Sequence, residues 1–290
     1  MTIFNLGSIN ADLFYHLPHL PGPGETLAST SFHRGLGGKG ANMSVAAARA
    51  AAHVVHIGAV GPDGHWAVER LLEYGVDTRH IAELGKATGH AIIYVDRTGE
   101  NQIVLYPGAN HALGQGQVTA ALADGTRRDT LMIQNETNLQ SFAAGLARQK
   151  GMRVLYAAAP FSAEAVEAVM DRVDLLVLNE IEAQQLSDAL ETEIAALEVA
   201  DIVVTLGGDG CRHYDTAAGT DRHYPGIEVE VVDTTGAGDT FTGYLAAGLD
   251  RGMPMEQAIQ RAQRAAALMV TRQGTADVIP DLKDLEGFDA

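Results

Sequence analysis

The chain has 290 residues, 46% hydrophobic and 20% charged, with a formal net charge of −17 and a single cysteine, Cys211. That is enough apolar material for one large α/β domain or two smaller ones, the acidic balance argues against a broad nucleic-acid surface, and one cysteine excludes an internal disulfide. No stretch approaches ~20 uninterrupted apolar residues, and the start MTIFNLGSINADLF has neither a basic leader nor a long apolar core, so a cytoplasmic protein with no membrane partner is expected.

In chain order, residues 2–7 form a short apolar run ending in Gly7-Ser8 and read as a buried strand. Residues 11–18 and 26–33 read as two more strands around the turn signal Pro21-Gly22-Pro23-Gly24. After the glycine-rich stretch Gly35 to Asn42 come an alanine-rich helix at 41–52, a strand at 54–60 and a helix at 65–74. Residues 89–95 and 101–106 alternate around Asp96-Arg97-Thr98-Gly99-Glu100 and read as a hairpin. From about 113 onward, strands at 130–134, 153–157, 174–178 and 201–206 alternate with helices at 138–149, 162–171, 180–190 and 255–272. Such alternation predicts a mainly parallel sheet with helices on both faces. The early strands break it. They are assigned to a small separate sheet, about 10–34 and 88–108, that serves as a lid on one domain covering 1–290.

The most informative stretch is Asp233-Thr234-Thr235-Gly236-Ala237-Gly238-Asp239, which follows the alternating apolar run Ile227 to Val232 and opens a helix-compatible run, Thr240 to Leu249. Gly236 and Gly238 flank one small residue, so the backbone can approach a ligand, and the first amides of the helix point outward unpaired. An anion site holding its own carboxylate, Asp239, suggests phosphoryl transfer to a hydroxyl. Gly35, Gly37 and Gly40 satisfy G-x-G-x-x-G, which three readings accommodate: a dinucleotide turn, an ordinary glycine turn, or a polar ligand site with Lys39 and Asn42 as donors. No Walker-type loop occurs, because Lys39 is followed by Gly40 and Lys86 by Ala87. Thr205-Leu206-Gly207-Gly208-Asp209-Gly210 follows a strand end, where open α/β sheets bind ligands. Asn179 and Glu182 either serve one polar site, such as water around Mg²⁺, or cap a helix.

Two segments in this order, Gly37-Gly38-Lys39-Gly40-Ala41-Asn42 and Asp233 to Asp239, resemble the signatures of the ribokinase-like (PfkB) family of carbohydrate kinases. Gly7-Ser8-Ile9-Asn10-Ala11-Asp12, Pro23-Gly24-Glu25-Thr26, Gly108-Ala109-Asn110, Thr205-Leu206-Gly207 and Val270 to Gly274 are most similar to its ribokinase branch. The resemblance implies a three-layer α/β/α fold and ATP-dependent phosphorylation of a sugar's primary hydroxyl, with D-ribose giving ribose 5-phosphate. Asp239 would be the base, and Gly236, Ala237 and Gly238 the anion hole. Asn10, Asp12, Gly38, Lys39, Asn42 and Glu136 would hold the sugar. Asn179, Thr205, Gly207, Gly208, Asp209, Gly210 and Gln263 would line the nucleotide site, with Glu182 organising Mg²⁺ through water. Asp233, Thr235, Met269, Arg272 and Gly274 would hold K⁺, and the lid would join a homodimer. Departures from the family pattern are Val278 in place of a hydroxyl residue near the cation, Ala157 in place of an asparagine, Gln263 in place of a histidine or asparagine, and a shortened stretch between Asn179 and Thr205. The residues leave open a same-family kinase of deoxyribose, fructose, another ketose or a nucleoside. The reading of a different class is a non-catalytic sugar- or nucleotide-binding regulator.

Overall fold

A computed structural model describes residues 1–288. Among the described residues there are thirteen strands: β1 Thr2–Leu6, β2 Asn10–His16, β3 Ser31–Gly37, β4 His53–Val60, β5 Asp77–Glu83, β6 Gly89–Val95, β7 Asn101–Tyr106, β8 Thr130–Gln134, β9 Arg153–Ala157, β10 Leu175–Asn179, β11 Asp201–Thr205, β12 Cys211–Asp215 and β13 Thr220–Tyr224. The helices are α1 Lys39–Arg49, α2 His65–Glu73, α3 Gln115–Ala121, α4 Gln140–Gln149, α5 Ala163–Glu167, α6 Glu180–Leu190, α7 Ala237–Asp250, α8 Met255–Met269 and α9 Leu282–Glu286. No helix among the described residues is long and apolar enough to cross a membrane.

Nine strands form one sheet in the order β13-β12-β11-β10-β9-β8-β1-β4-β5, parallel from β11 to β5 with β12 and β13 antiparallel at one edge. The side chains alternate between faces, as a sheet covered on both sides requires. Ile3, Leu155 and Val203 meet α1, α7 and α8, while Phe4, Tyr156 and Ile202 meet the layer built from α3 to α6. The chain leaves β1 for β4 on one side and returns to β8 on the other. The carboxyl ends of β1 and β8 therefore flank a switch point, where such sheets form a ligand crevice.

The small sheet has the order β3-β2-β6-β7, so the two early excursions do join, as expected. One boundary moves. The strand expected at 26–33 runs instead over Ser31–Gly37, because Gly35 and Gly37 pair with Asp12 and Asn10. The strand β5 and the hairpin β12–β13 are additional to the expected elements. The helix expected at 162–171 divides into α5 and a 3₁₀ turn at Met170–Arg172, and the helix expected from Thr240 begins earlier, at Ala237.

The joint between the switch point and α1 depends on two glycines. A Cβ on Gly40 would stand 2.4 Å from Gly7 Cα, and one on Gly7 would stand 2.6 Å from Gly40 Cα. Buried polar groups hold this contact from below. Asn5 Nδ2 donates to the Gly40 carbonyl at 2.7 Å and to Ser44 Oγ at 2.8 Å, and Gln134 Nε2 donates to Asn5 Oδ1 at 2.6 Å. His56 places Nε2 3.1 Å from the Gly7 carbonyl and Nδ1 2.8 Å from Ser44 Oγ. A carbonyl only accepts, so Nε2 carries the proton and Ser44 donates to Nδ1.

Complete burial pushes the His56 imidazole down from 6.5 to about 4. Between those values the unfolded chain binds a proton that the folded chain does not, so stability falls as pH drops from about 6.5 to about 4. The expected loss is about 3 kcal/mol across that window. Urea denaturation of the protein and of a His56→Leu variant checks this: the variant, though less stable at neutral pH, should lose that part of the pH dependence. Equal slopes in both proteins would contradict it.

Candidate active site

Helix α7 starts where Gly236 adopts a left-handed backbone, φ 78°, a conformation glycine reaches without strain. A Cβ there would also lie 2.9 Å from Met269 Cε, so the methionine end would have to shift. The Ala237 amide closes a turn onto the Thr234 carbonyl at 3.2 Å. Space around Gly238 is open, and both Ala237 and Gly238 line the cavity beyond. Helix polarity favours an anion at this turn. Asp239 follows in the first turn of the helix, buried, and Asn42 Nδ2 donates to its Oδ2 at 2.9 Å.

On one side of Asp239 lies a polar cleft under the small sheet. Asn10 and Asp12 alternate along β2 and so share a face. Gly37 crosses directly opposite, where a Cβ would fall 2.0 Å from Asp12 Oδ2, so only glycine fits. Gly38, φ 91°, leads into α1. The amide of Lys39 donates to Glu136 Oε2 at 2.9 Å, and Ser8 Oγ donates to the same oxygen at 2.5 Å. Glu136, just beyond β8, is thereby tied to the ends of β1 and α1 across the switch point. Asn110 reaches in from behind and donates to Asn10 Oδ1 at 2.8 Å.

This cleft concentrates negative charge. Burial, then the charges of Glu136 and Asp239, push the Asp12 carboxyl up to about 7. The ammonium of Lys39 is held above its ordinary range by the charge of Asp239, helped by Glu136 and Glu182 and opposed by burial. Lys39 is thus the cation shared by the carboxylates of the cleft. The largest contribution comes from the charge of Asp239.

On the other side of Asp239 is a cavity of about 540 Å³. Thr205, Gly207, Gly208, Gly210 and Gln263 line it, as expected for nucleotide residues. Sequence reasoning missed Ile227, Val229 and Val231, which supply an apolar wall, and Ala266, Ala267 and Val270 from α8 and its end, whose mostly small side chains help leave a slot. The signal was present in the alternation of 227–232, although that run is not paired as a strand. Asp209 and Asn179 do not line the cavity. The Asp209 carbonyl accepts from His223 Nε2 at 2.9 Å, and Asn179 caps α6.

That cap is reciprocal: Asn179 Oδ1 accepts from the Glu182 amide and Glu182 Oε2 from the Asn179 amide, both at 2.8 Å. One carboxylate oxygen of Glu182 remains uncommitted. Burial raises its carboxyl above the usual range against the pull of the Asn179 amide and Lys39. A half-buried carboxylate facing Lys39 and Asp239 suits a hydrated Mg²⁺ bound through water. Behind the anion turn, Asp233 Oδ1 accepts from the Thr235 amide at 2.9 Å and Oδ2 from the Gly274 amide at 3.3 Å. The Met269 carbonyl accepts from the Arg272 amide at 2.9 Å, while the Arg272 side chain binds the Val278 carbonyl and Asp284. Carboxylate and carbonyl oxygens are the hard donors an alkali cation takes, so this loop pair fits K⁺. Among the described residues, no group of three or more His, Cys, Asp or Glu side chains is placed to hold a metal ion directly.

Over its full length the chain is also similar to known proteins. The model of the pfkB family of carbohydrate kinases matches residues 2–282. A ribokinase of Haemophilus influenzae is 35% identical, with 99% of this chain and 98% of the relative covered. The ribokinase structure from Thermotoga maritima superposes with a TM-score of 0.89 at 30% identity, covering 99% of this chain and 98% of that one. The Arabidopsis thaliana ribokinase complexed with ribose and ATP gives 0.85 at 26% identity, covering 99% of each chain. The chain belongs to the pfkB family of carbohydrate kinases.

Proposed function

We propose that the protein transfers the γ-phosphoryl group of ATP to the primary hydroxyl of D-ribose, giving ribose 5-phosphate and ADP. The observation that carries this reading is the position of Asp239, buried in the first turn of α7 between the polar cleft and the cavity. The full-length likeness to ribokinases, one of them complexed with ribose and ATP, supports the choice of substrates.

The bond from Asn42 Nδ2 occupies Asp239 Oδ2 and leaves Oδ1 for the acceptor hydroxyl. As the hydroxyl oxygen bonds to the γ-phosphorus, its proton passes to Asp239, and ADP departs with the electron pair of the broken bridging bond. Charge on the transferring group is met by the amides of Gly236 and Gly238 at the helix start, with the Ala237 amide holding the turn through its bond to the Thr234 carbonyl. Lys39, whose ammonium is stabilised most by the charge of Asp239, supplies a positive charge to the same site. Mg²⁺, when bound, neutralises the β- and γ-phosphate oxygens, and Glu182 is the residue that would hold it through water. K⁺, when bound at Asp233, Thr235, Met269, Arg272 and Gly274, would fix the backbone of the anion turn. Asn10, Asp12, Gly38 and Glu136 bind and orient the sugar, and the small sheet excludes water over it.

Asp239→Asn should lower kcat by ~10²–10⁴ and leave the ribose KM little changed. Steady-state kinetics on the purified variant check this, and full activity would overturn the assignment. Asp12 adds a pH signature. Sugar hydroxyls donate to its carboxylate, so binding favours the ionised form and releases a proton wherever the free cleft holds one. Ribose affinity should therefore tighten as pH rises from 6 through about 7 and level off above it. Calorimetric titrations in buffers of different ionisation enthalpy measure both effects. Affinity that is flat or weakens with rising pH would contradict them.

A further inference from the structure

Asn110 sits in the turn Gly108–His111 that follows β7, its side chain 1% exposed. Its Oδ1 accepts from the Ile9 amide at 2.9 Å, and its Nδ2 donates to the Ile9 carbonyl at 3.2 Å. These two bonds to one residue fix which way the amide faces, because the reversed group would set oxygen against oxygen and N–H against N–H. The remaining N–H of Asn110 then needs an acceptor, and Asn10 supplies Oδ1 at 2.8 Å. Gly89 leaves room for the pair: a Cβ there would lie 2.2 Å from Asn110 Nδ2 and 2.5 Å from Asn10 Oδ1.

With its oxygen turned back to Asn110, Asn10 offers only its NH₂ group to the cleft. Asp12, two residues along the same face of β2, offers only acceptors when ionised. The cleft therefore displays a donor beside an acceptor, the complement of neighbouring hydroxyls on a sugar ring. Neither Asn110 nor its bond to Asn10 touches the sugar or the reacting atoms.

We infer that Asn110 is a positioning residue that locks the Asn10 amide with its N–H groups toward the sugar, and so makes a ring hydroxyl at that point a requirement for efficient phosphorylation. This rests on the acceptor-site reading given above. A sugar lacking that hydroxyl leaves the Asn10 donor buried without a partner, and sites built to bond a hydroxyl reject such analogues strongly.

The test uses the full-length enzyme with ribose, 2-deoxyribose and 3-deoxyribose, following ADP release. The wild type should discriminate by ~10² or more in kcat/KM against at least one of the two deoxy sugars. Asn110→Asp keeps the acceptor for the Ile9 amide but presents oxygen to Asn10, whose amide must reverse to donate to it. Discrimination should fall below ~10-fold, mostly through a higher ribose KM, with the KM for ATP unchanged. Asn110→Ala, which loosens the lock without reversing it, should fall between the two. Asn10→Leu removes the donor altogether, so adding Asn110→Ala to it should change discrimination no further; this pair decides the matter if the Asp variant does not fold. A wild type with no preference among the three sugars, or Asn110 variants that slow all of them equally, would overturn the inference while leaving the kinase assignment standing. A wild type that releases no ADP with any sugar would overturn both.

Discussion

The contact between Gly7 and Gly40 is the constraint on which the rest of the site depends. It lets the start of α1 meet the end of β1 at a distance no side chain permits, and it does so at the switch point of the sheet. Glu136 and Asp239 are both tied to the elements it joins. Ser8 and the Lys39 amide, one on each side, bind the same oxygen of Glu136. Asn42, one turn into α1, reaches Asp239 on α7. The buried run from Gln134 through Asn5 and Ser44 to His56 bonds to the carbonyls of Gly7 and Gly40 and so ties the two sides of the contact together.

Charge is the second organising element. The charges of Asp239, Glu136 and Glu182 act on Lys39, and those of Glu136 and Asp239 on Asp12, a concentration of charge costly to bury. The cost is met partly by protonation of Asp12 and partly by backbone amides at helix starts, where α1 serves Glu136 and α6 serves Glu182. The overall charge of −17 is no obstacle to binding a nucleotide, because the cavity wall is apolar and the anion turn is built from amides.

Much of this was legible in the sequence because it is local. Glycines flanking one small residue before an aspartate announce a helix start open to an anion, and the alternation of strands and helices announces the parallel sheet. What escaped depends on partners far along the chain. Asn110 and Ser8 were visible as residues, yet their roles come from Ile9, Asn10 and Glu136, one of them 128 positions from its partner. The strand at Ser31–Gly37 ran past its expected end because Gly37 clears the Asp12 carboxylate, a fact no propensity encodes. The β5 strand, with Arg79 and His80 within it, lacks the apolar alternation that would betray an edge strand. Asp209 and Asn179, expected at the nucleotide site, are not among the residues that line the cavity; the Asp209 carbonyl bonds to His223 and Asn179 caps α6.

The central claim is that Asp239 brings a sugar's primary hydroxyl to the γ-phosphate of ATP. Phosphorus NMR of a reaction containing the enzyme, ATP, Mg²⁺ and ribose tests it most directly. The account predicts a new phosphomonoester signal split into a triplet by the two protons of a CH₂–O group, growing in step with ADP. A doublet, which marks phosphate on a ring carbon, or ADP formed at the same rate without ribose, would contradict it.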